Sequence, residues 1–374
     1  MADEVVADEL DITDELIAER RTGQPGETPD DMTWWMRPIV ANIDLLNLWV
    51  GRISCLLSVP LMGFIVYEVA SRNAFAIFSS YGAADLARSI GLGPTQWVLD
   101  YSAMIAGALF MLGAGYALMR GVHIRADFLY RSWSVERQMT VDCVLYLLFY
   151  FPAMLFFLWV SFDYTYKAWI NWERAFSGAM APLAPARTAM PICAALLLLQ
   201  GVSEFLKSLY EMSEGRRRFF LRLLVPYLVI LATIFVATLY PNAIPLGPIW
   251  RGAIEFTGLF SLPSSTIGIL MIAVMLFAIF VGFPISFTLI FLAFAFGAWG
   301  FKAKMAFYLQ TLQFNATMLD GQLVAVPLFV LMGIVMEKAG LMERLFLAIQ
   351  MMFSNTRGAL FVAVLFVSMI FAAA

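Results

Sequence analysis

The feature of this sequence that most restricts its fold is a series of long apolar runs closed by charged residues. The run from Tyr101 to Met119 carries no charged side chain and begins directly after Asp100. Its length matches the roughly 20 apolar residues that a helix needs to cross a bilayer core of about 30 Å. A charged corner, Arg120 to Asp127, follows at once. The same unit recurs along the chain, which predicts a protein that crosses a membrane several times.

The composition supports this interpretation. Hydrophobic residues make up 61% of the chain and charged residues 14%, with a mean hydropathy of +0.80. Soluble domains average about 45–50% apolar and about 25% charged residues. Strands of a membrane barrel alternate apolar and polar residues, whereas these runs are apolar throughout. The predicted fold class is therefore all-α, a polytopic helical membrane protein.

Charge and hydropathy divide the chain into four parts. Residues 1–33 are strongly acidic, and we expect a disordered cytoplasmic tail. A four-helix module, a connecting segment with a basic seam and one helix, and a second helical module follow at residues 34–212, 213–262 and 263–374. In the four-helix module the predicted spans lie near residues 46–70, 97–119, 138–166 and 187–209.

Prolines interrupt several apolar runs. Pro60 and Pro152 should kink the first and third spans, because proline lacks a backbone donor and clashes with the preceding helical turn. The run from 266 to 299 is too long for one helix, and Gly282-Phe283-Pro284 should divide it. Pro327 lies in the next run, near 322–336. Interrupted helices can expose backbone groups that transporters use inside the membrane. For any single one of these breakers, a simple kink or loop is the better explanation.

Between these last two breakers, residues 301–321 are amphipathic and become polar at Asn315, Asp320 and Gly321. The apolar runs resume at about 345–353 and 358–371. The densest arginine clusters, at 120–137 and 216–222, would lie in the cytoplasm if the N-terminus did. The positive-inside rule therefore predicts a cytoplasmic N-terminus.

Residues that could carry chemistry are sparse. The single histidine is His123, and the three cysteines lie far apart within apolar runs. The sequence contains no glycine-rich phosphate loop, nucleophile elbow or metal-ligand spacing. We therefore predict no enzyme activity, no catalytic residue, no metal site and no cofactor. His123, Arg125 and Asp127 are explained most simply as an ion-paired, hydrogen-bonded helix end.

The charged corner after the second span resembles the small membrane subunit of TRAP transporters (tripartite ATP-independent periplasmic transporters). The family pattern of glycine, histidine, Ile-Arg and aspartate occurs here as Gly121, His123, Arg125 and Asp127. The helix start and neighbouring spans fit as well, through Arg72, Trp97, Asp100, Leu199-Gln200 and Glu204, although many members carry glutamate in place of Asp100. The resemblance assigns these residues a structural role.

The second module resembles the beginning of the large membrane subunit of the same family. Residues 281–287 resemble its first corner between helices, with Pro284, and residues 323–329 resemble its next block, with Pro327. Residues 358–374 resemble the approach to its first re-entrant hairpin, where Ser368, Phe371 and Ala372 are candidate substrate-binding residues. The serine- and glycine-rich turn of the family does not follow, so we expect a truncated large-subunit module, joined to the four-helix module by the connecting helix.

The resemblance implies a permease component of a secondary transporter in the bacterial inner membrane. It implies import of an organic acid such as a C4-dicarboxylate, with sodium as the coupling ion and delivery by a periplasmic substrate-binding protein. The implied partners are the lipid bilayer, that binding protein and the remaining part of the large subunit, with no nucleic acid. The alternative is a membrane scaffold or anchor without transport, because the region for substrate and ions is missing.

Overall fold

The computed structural model describes residues 32–122, 130, 133–177, 179–239, 264–282, 284–300, 303–353 and 358–373. Within these residues the regular structure is helical, apart from one isolated bridge between Arg174 and Pro182. Five rods are long and apolar enough to cross a membrane: Met36–Ser80, Trp97–Met119, Glu136–Ile170, Ala184–Tyr210 and Gly321–Lys338. The chain is an all-α polytopic membrane protein, as the sequence predicts.

The first module contains the helices α1 to α8. Their bounds are α1 Met36–Cys55, α2 Ser58–Ser80, α3 Ala84–Ser89, α4 Gln96–Met119, α5 Val135–Leu145, α6 Phe151–Ile170, α7 Ala184–Arg187 and α8 Ala189–Tyr210. The predictions for the second and fourth spans are confirmed. The first span was predicted too short, because Asp44 and Glu68 lower the hydropathy of its two ends. Both carboxylates are buried and bonded inside the protein.

Both prolines predicted to kink a span follow an irregularity in the helix. Pro60 follows the break at Leu56 and Leu57 between α1 and α2. In a continuous helix its ring would clash with the backbone carbonyl of Leu56, four residues earlier. Pro152 follows a π-helical turn, Tyr146–Tyr150, that joins α5 to α6. Such a turn is a common source of bending within a long helix.

The rest of the described chain forms α9 to α15. Their bounds are α9 Glu214–Leu239, α10 Ser264–Phe280, α11 Ile285–Gly300, α12 Ala303–Met318, α13 Gly321–Lys338, α14 Leu341–Met352 and α15 Ala359–Ala373. Gly282, at a φ of 92°, and Pro284 separate α10 from α11 as predicted. Pro327 instead lies inside α13, which continues to Lys338. Its proposed role as a helix breaker is wrong, since a membrane helix tolerates a proline when neighbouring groups restore the lost bonds.

The hydrophobic core is shared by the two modules. One cluster is built around Tyr146, Tyr150 and Leu197 and includes Phe287 of α11. A second cluster joins Phe157 of α6 to residues of α11 and α12, including Phe294, Phe307 and Met318. At the other end of the first module, Met32 is 5% exposed and belongs to the first cluster. Met32 therefore does not belong to the predicted disordered tail, and residues 1–31 lie outside the described residues.

Candidate functional site

A buried polar network joins α1 to α8 inside the membrane span. Asp44 and Asn47 lie one turn apart on α1 and face Gln200 and Ser203 on α8, and all four residues are buried. Asn47 Nδ2 donates to Gln200 Oε1 at 2.9 Å, and Gln200 Nε2 donates to Asp44 Oδ1 at 2.9 Å. Ser203 Oγ donates to the same Asp44 oxygen at 2.7 Å. Gln200 therefore connects the amide and the carboxylate of α1.

Lys207 supplies the counter-charge for this network. Its Nζ lies 2.8 Å from Asp44 Oδ2 and 2.9 Å from Glu204 Oε1. Gln200 Nε2 also donates to that Glu204 oxygen at 2.9 Å. A charge removed from water is costly unless it is paired and hydrogen-bonded. With this pairing, the carboxylate of Asp44 links the spanning helices α1 and α8. We call such a group of polar contacts between helices a polar joint.

The same joint brings α4 close to α1. A Cβ atom on Gly115 would lie 2.2 Å from Asn47 Oδ1, and one on Gly51 would lie 2.6 Å from Cβ of Tyr116. Small residues permit such close approach of helices in a membrane, where packing replaces the hydrophobic effect as the driving force. The three helices α1, α4 and α8 are therefore held together by both polar and close-packed contacts.

A second polar joint lies between α2 and the N-terminus of α4. Glu68 accepts a hydrogen bond from Arg72 Nε at 2.5 Å, one turn further along the same helix face. Glu68 also accepts bonds from Thr95, through its backbone N at 3.2 Å and through its hydroxyl. Thr95 directly precedes α4. Arg72, one of the family-motif residues, thus orients the carboxylate that tethers the start of α4.

The other motif residues lie at the two ends of α4. Trp97 packs against Phe64 and Tyr67, with ring centroids 5.9 Å apart in both pairs. Asp100 accepts a hydrogen bond from Ser177 in the loop between α6 and α7. Gly121, at a φ of 65°, ends the helix at the opposite side. Arg72, Trp97 and Asp100 thus share one end of the bundle. His123, Arg125 and Asp127 lie outside the described residues.

The candidate substrate-binding residues lie in α15. Ser368 is exposed on this helix, next to an open apolar groove lined by Glu343, Phe346, Leu347 and Val367. Phe371 and Ala372 belong to the same helix, and their side chains are outside the described residues. Their proposed substrate contact remains a prediction.

A buried arginine that no sequence pattern singles out forms a third polar joint. Arg187 is 5% exposed and pairs with Glu173. Its guanidinium lies 4.3 Å from the ring centroid of Tyr164, and its backbone oxygen accepts from Thr165 Oγ1 at 3.0 Å. Its Nε donates to Asn315 Oδ1 of α12 at 3.2 Å. Arg187 therefore bonds to the second module through its guanidinium, while contacts with α6 and with the loop that contains Glu173 hold the arginine in place.

Comparison with known protein families shows which family this chain belongs to. Residues 61–211 match the family described as tripartite ATP-independent periplasmic transporters, DctQ component. Residues 269–374 match the DctM component of the same transporters. This chain belongs to the TRAP transporter family. It carries a small-subunit region and a large-subunit region in one polypeptide, and its family consists of transporters. No curated protein matches the chain.

Helix α9 lies between the two matched segments of this TRAP chain. It packs against the small-subunit region, because Tyr227 Oη donates to the backbone oxygen of Leu147 at 2.5 Å. Its N-terminal arginines contact the same region, with Arg216 Nε 3.5 Å from Glu136 Oε1. The helix that links the two regions in sequence is therefore also a structural part of the first.

The two TRAP regions meet through aromatic rings. Tyr150 contacts Phe287 with ring centroids 4.6 Å apart, and Phe149 contacts Phe291 at the same distance. Further pairs join α6 to α12: Phe156 with Phe307 at 5.2 Å and Phe157 with Phe314 at 4.5 Å. Aromatic pairs of this geometry contribute about 0.5–1.5 kcal/mol each beyond simple burial. Together with the Arg187 joint, they hold α11 and α12 on the small-subunit region.

Proposed function

We propose that this chain is a permease component that imports an organic acid, such as a C4-dicarboxylate, by symport with sodium. In this proposal a periplasmic substrate-binding protein delivers the acid, and the chain lies in the bacterial inner membrane. The observation that carries the proposal is the match of one chain to both TRAP components, in two regions that pack on each other through a shared aromatic core.

The proposal gives the two regions different tasks. The small-subunit region would be a fixed scaffold, since the charges between its spanning helices are paired in the Asp44 and Glu68 joints. Helices α11 and α12 dock on this scaffold and would hold the large subunit at a defined position. The remaining part of the large subunit would supply the substrate and sodium sites.

Transport in proteoliposomes tests the proposal. The chain is reconstituted together with the remaining part of the large subunit, and uptake of a panel of labelled carboxylates is measured with purified binding protein outside. We expect uptake that requires both an inward sodium gradient and the binding protein. Replacing sodium by potassium, or omitting the binding protein, is the control.

An absence of uptake above that of empty liposomes for every carboxylate, with all parts inserted, would contradict the proposal. That result would favour the alternative of a membrane scaffold without transport. Uptake that persists in potassium would reject sodium as the coupling ion and leave the import of organic acids standing.

We also propose that the N-terminus lies in the cytoplasm. In this orientation the basic N-terminal turn of α9, with Arg216, Arg217 and Arg218, faces the anionic inner leaflet. The loop that contains Glu173 then faces the periplasm, together with α3.

A further inference from the structure

We propose that the outward face of α9 binds an anionic phospholipid, with the lipid phosphate held by Arg218 and Arg222. The outward face consists of Arg218, Arg222, Val225 and Val229. A helix of 3.6 residues per turn places these four residues within about 60° of one another around its axis. All four are exposed, and Arg222 has no ion-pair or hydrogen-bond partner in the part of the chain that the structure describes. Two guanidinium groups therefore stand one turn apart, directly before an apolar surface.

The position of α9 beside α5 determines which of its faces points outward. Arg216 Nε lies 3.5 Å from Glu136 Oε1, and Tyr227 Oη donates to the backbone oxygen of Leu147. Arg216 and Tyr227 are about three turns apart on α9, and Glu136 and Leu147 are about equally far apart on their own rod. The two helices therefore run side by side in the same direction. Because Arg216 and Tyr227 share one side of α9, the outward face lies on the opposite side, away from α5.

The two arginines lie where α9 enters the bilayer. This helix has 26 residues, or about 39 Å, which is enough to cross a hydrocarbon core of about 30 Å. Residues 223–239 carry no charged side chain, whereas residues 216–218 are three consecutive arginines. The border between the basic and the apolar part of α9 therefore falls between Arg218 and Arg222. An arginine at such a border extends its side chain along the helix and keeps the guanidinium at the level of the headgroups.

The composition of α9 favours lipid over a second helix as the occupant of the outward face. Residues 216–231 contain no glycine, alanine or serine. Such small residues mark the places where membrane helices pack closely against each other. Val225 and Val229 are 66% and 61% exposed, and together they form an apolar surface that suits an acyl chain. The phosphate and one acyl chain of the same lipid thus find matching groups along one line of the helix.

Charge complementarity identifies the headgroup. A phosphate diester accepts hydrogen bonds from the planar fork of a guanidinium through two oxygens. Arg218 also donates to Glu214 Oε2 at 3.1 Å, but both side chains of this pair are exposed. Such a pair contributes little to stability, so the guanidinium of Arg218 remains available to a phosphate. A zwitterionic headgroup carries a cation that the arginine pair would repel. The ligand is therefore a phospholipid with net negative charge, such as phosphatidylglycerol.

Lipid-selective quenching in the full chain tests this site. Leu228→Cys is introduced into a chain whose three native cysteines are serine, and the new thiol is labelled with bimane. Leu228 is exposed beside the outward face without belonging to it. The labelled chain is reconstituted in phosphatidylcholine liposomes that contain a minor fraction of brominated phosphatidylglycerol or of brominated phosphatidylcholine. We expect half-maximal quenching at an about threefold or more lower fraction of the brominated phosphatidylglycerol, because basic side chains at the membrane surface attract anionic lipid.

Arg222→Gln should remove this preference, and Arg218→Gln should reduce it. Arg137→Gln is the matched control, because it removes the same charge from α5, which packs against the opposite side of α9. This variant should keep the preference. Ile272→Cys, exposed on a helix without charged residues, replaces Leu228→Cys as the reference label and should show equal quenching by the two lipids.

Equal quenching by the two lipids at Leu228→Cys would overturn the proposal. Quenching by neither lipid would also overturn it, since another protein segment then covers the outward face. If R137Q loses as much of the preference as R222Q, net charge alone attracts the lipid and no specific site exists. If soluble glycerol phosphate removes the preference, the ligand is a soluble anion and not a lipid. Flotation of the labelled liposomes identifies any variant that fails to insert, and the remaining arginine variant then decides. None of these outcomes depends on the transported substrate or the coupling ion.

Discussion

At the scale of single residues, the buried polar side chains carry most of the specificity of this fold. Gln200 is completely buried and bonds to Asn47, Asp44 and Glu204. One amide thereby satisfies groups from two helices, and no apolar residue could replace its bonds. A buried polar group that loses its partner retains the full cost of its desolvation.

Replacing Gln200 by methionine should therefore destabilise the protein, by roughly 1–3 kcal/mol, because Asn47 and Asp44 lose a buried partner. The midpoint of thermal unfolding of the purified chain in detergent measures this. Leu199→Met is the matched control, because Leu199 is 41% exposed on the adjacent position of α8. Equal midpoints for Q200M and L199M would show that the network adds no stability.

Asn315 tests the joint between the two regions. Asn315→Leu keeps the size of the side chain but removes the acceptor for Arg187 Nε, so we expect a loss of about 1.5 kcal/mol. Asn315→Asp keeps an acceptor oxygen and should unfold at or above the wild-type midpoint. If N315L unfolds at the wild-type midpoint, the hydrogen bond does not hold α12 in place.

At the scale of helices, close backbone contacts fix the positions that apolar patterning leaves open. Helix α12 meets α4 at Gly107 and meets α6 through Phe307 and Phe314. The break between α1 and α2 has a local cause in Pro60. By contrast, the position of α12 has no local cause and arises from the shapes of the surfaces it contacts.

Gly107→Ala should displace the end of α12, because the new methyl group would lie 2.4 Å from the backbone oxygen of Met318. We expect a destabilisation of roughly 1–3 kcal/mol from this overpacking. Gly113→Ala is the control on the same helix, since its nearest atom, Ser54 Oγ, is 3.8 Å away. A fluorescence-based unfolding midpoint distinguishes them, and a G107A value as high as that of G113A would argue against the close contact.

At the scale of the whole molecule, the two TRAP regions form one packed body. Phe287 of the large-subunit region belongs to the same core cluster as Tyr150 and Leu197 of the small-subunit region. Helix α9 connects the regions in sequence and binds the first one through Tyr227. These contacts hold the two regions of the fused chain in a fixed relative position.

The proposed orientation predicts which loops an impermeant reagent reaches. Cys55, Cys143 and Cys193 are first replaced by serine. In spheroplasts that express this cysteine-free chain, Ser89→Cys should react with an impermeant maleimide. Arg137→Cys, at the start of α5, should react only after permeabilisation. Both residues are exposed, so folding does not explain a difference. The opposite pattern would place the N-terminus outside.

The sequence alone was sufficient for the class of fold and for the family. Long apolar runs must form helices in a membrane, because only internal bonding satisfies their backbone there. Local chemistry also predicted the irregularities near Pro60 and Pro152 and the break at Gly282-Pro284. The matched segments, 61–211 and 269–374, fall within the two modules that the resemblance indicated.

Only the tertiary structure determined the partners of the polar residues. Gln200 and Asp44 are 156 positions apart in sequence, and Arg187 and Asn315 are 128 apart. Apolar periodicity shows which residues prefer to be buried, but it does not specify which distant helix covers them. For the same reason, hydropathy made the first span too short and gave no sign that α12 packs against α4 and α6. Those features depend on how particular side chains fit together in three dimensions.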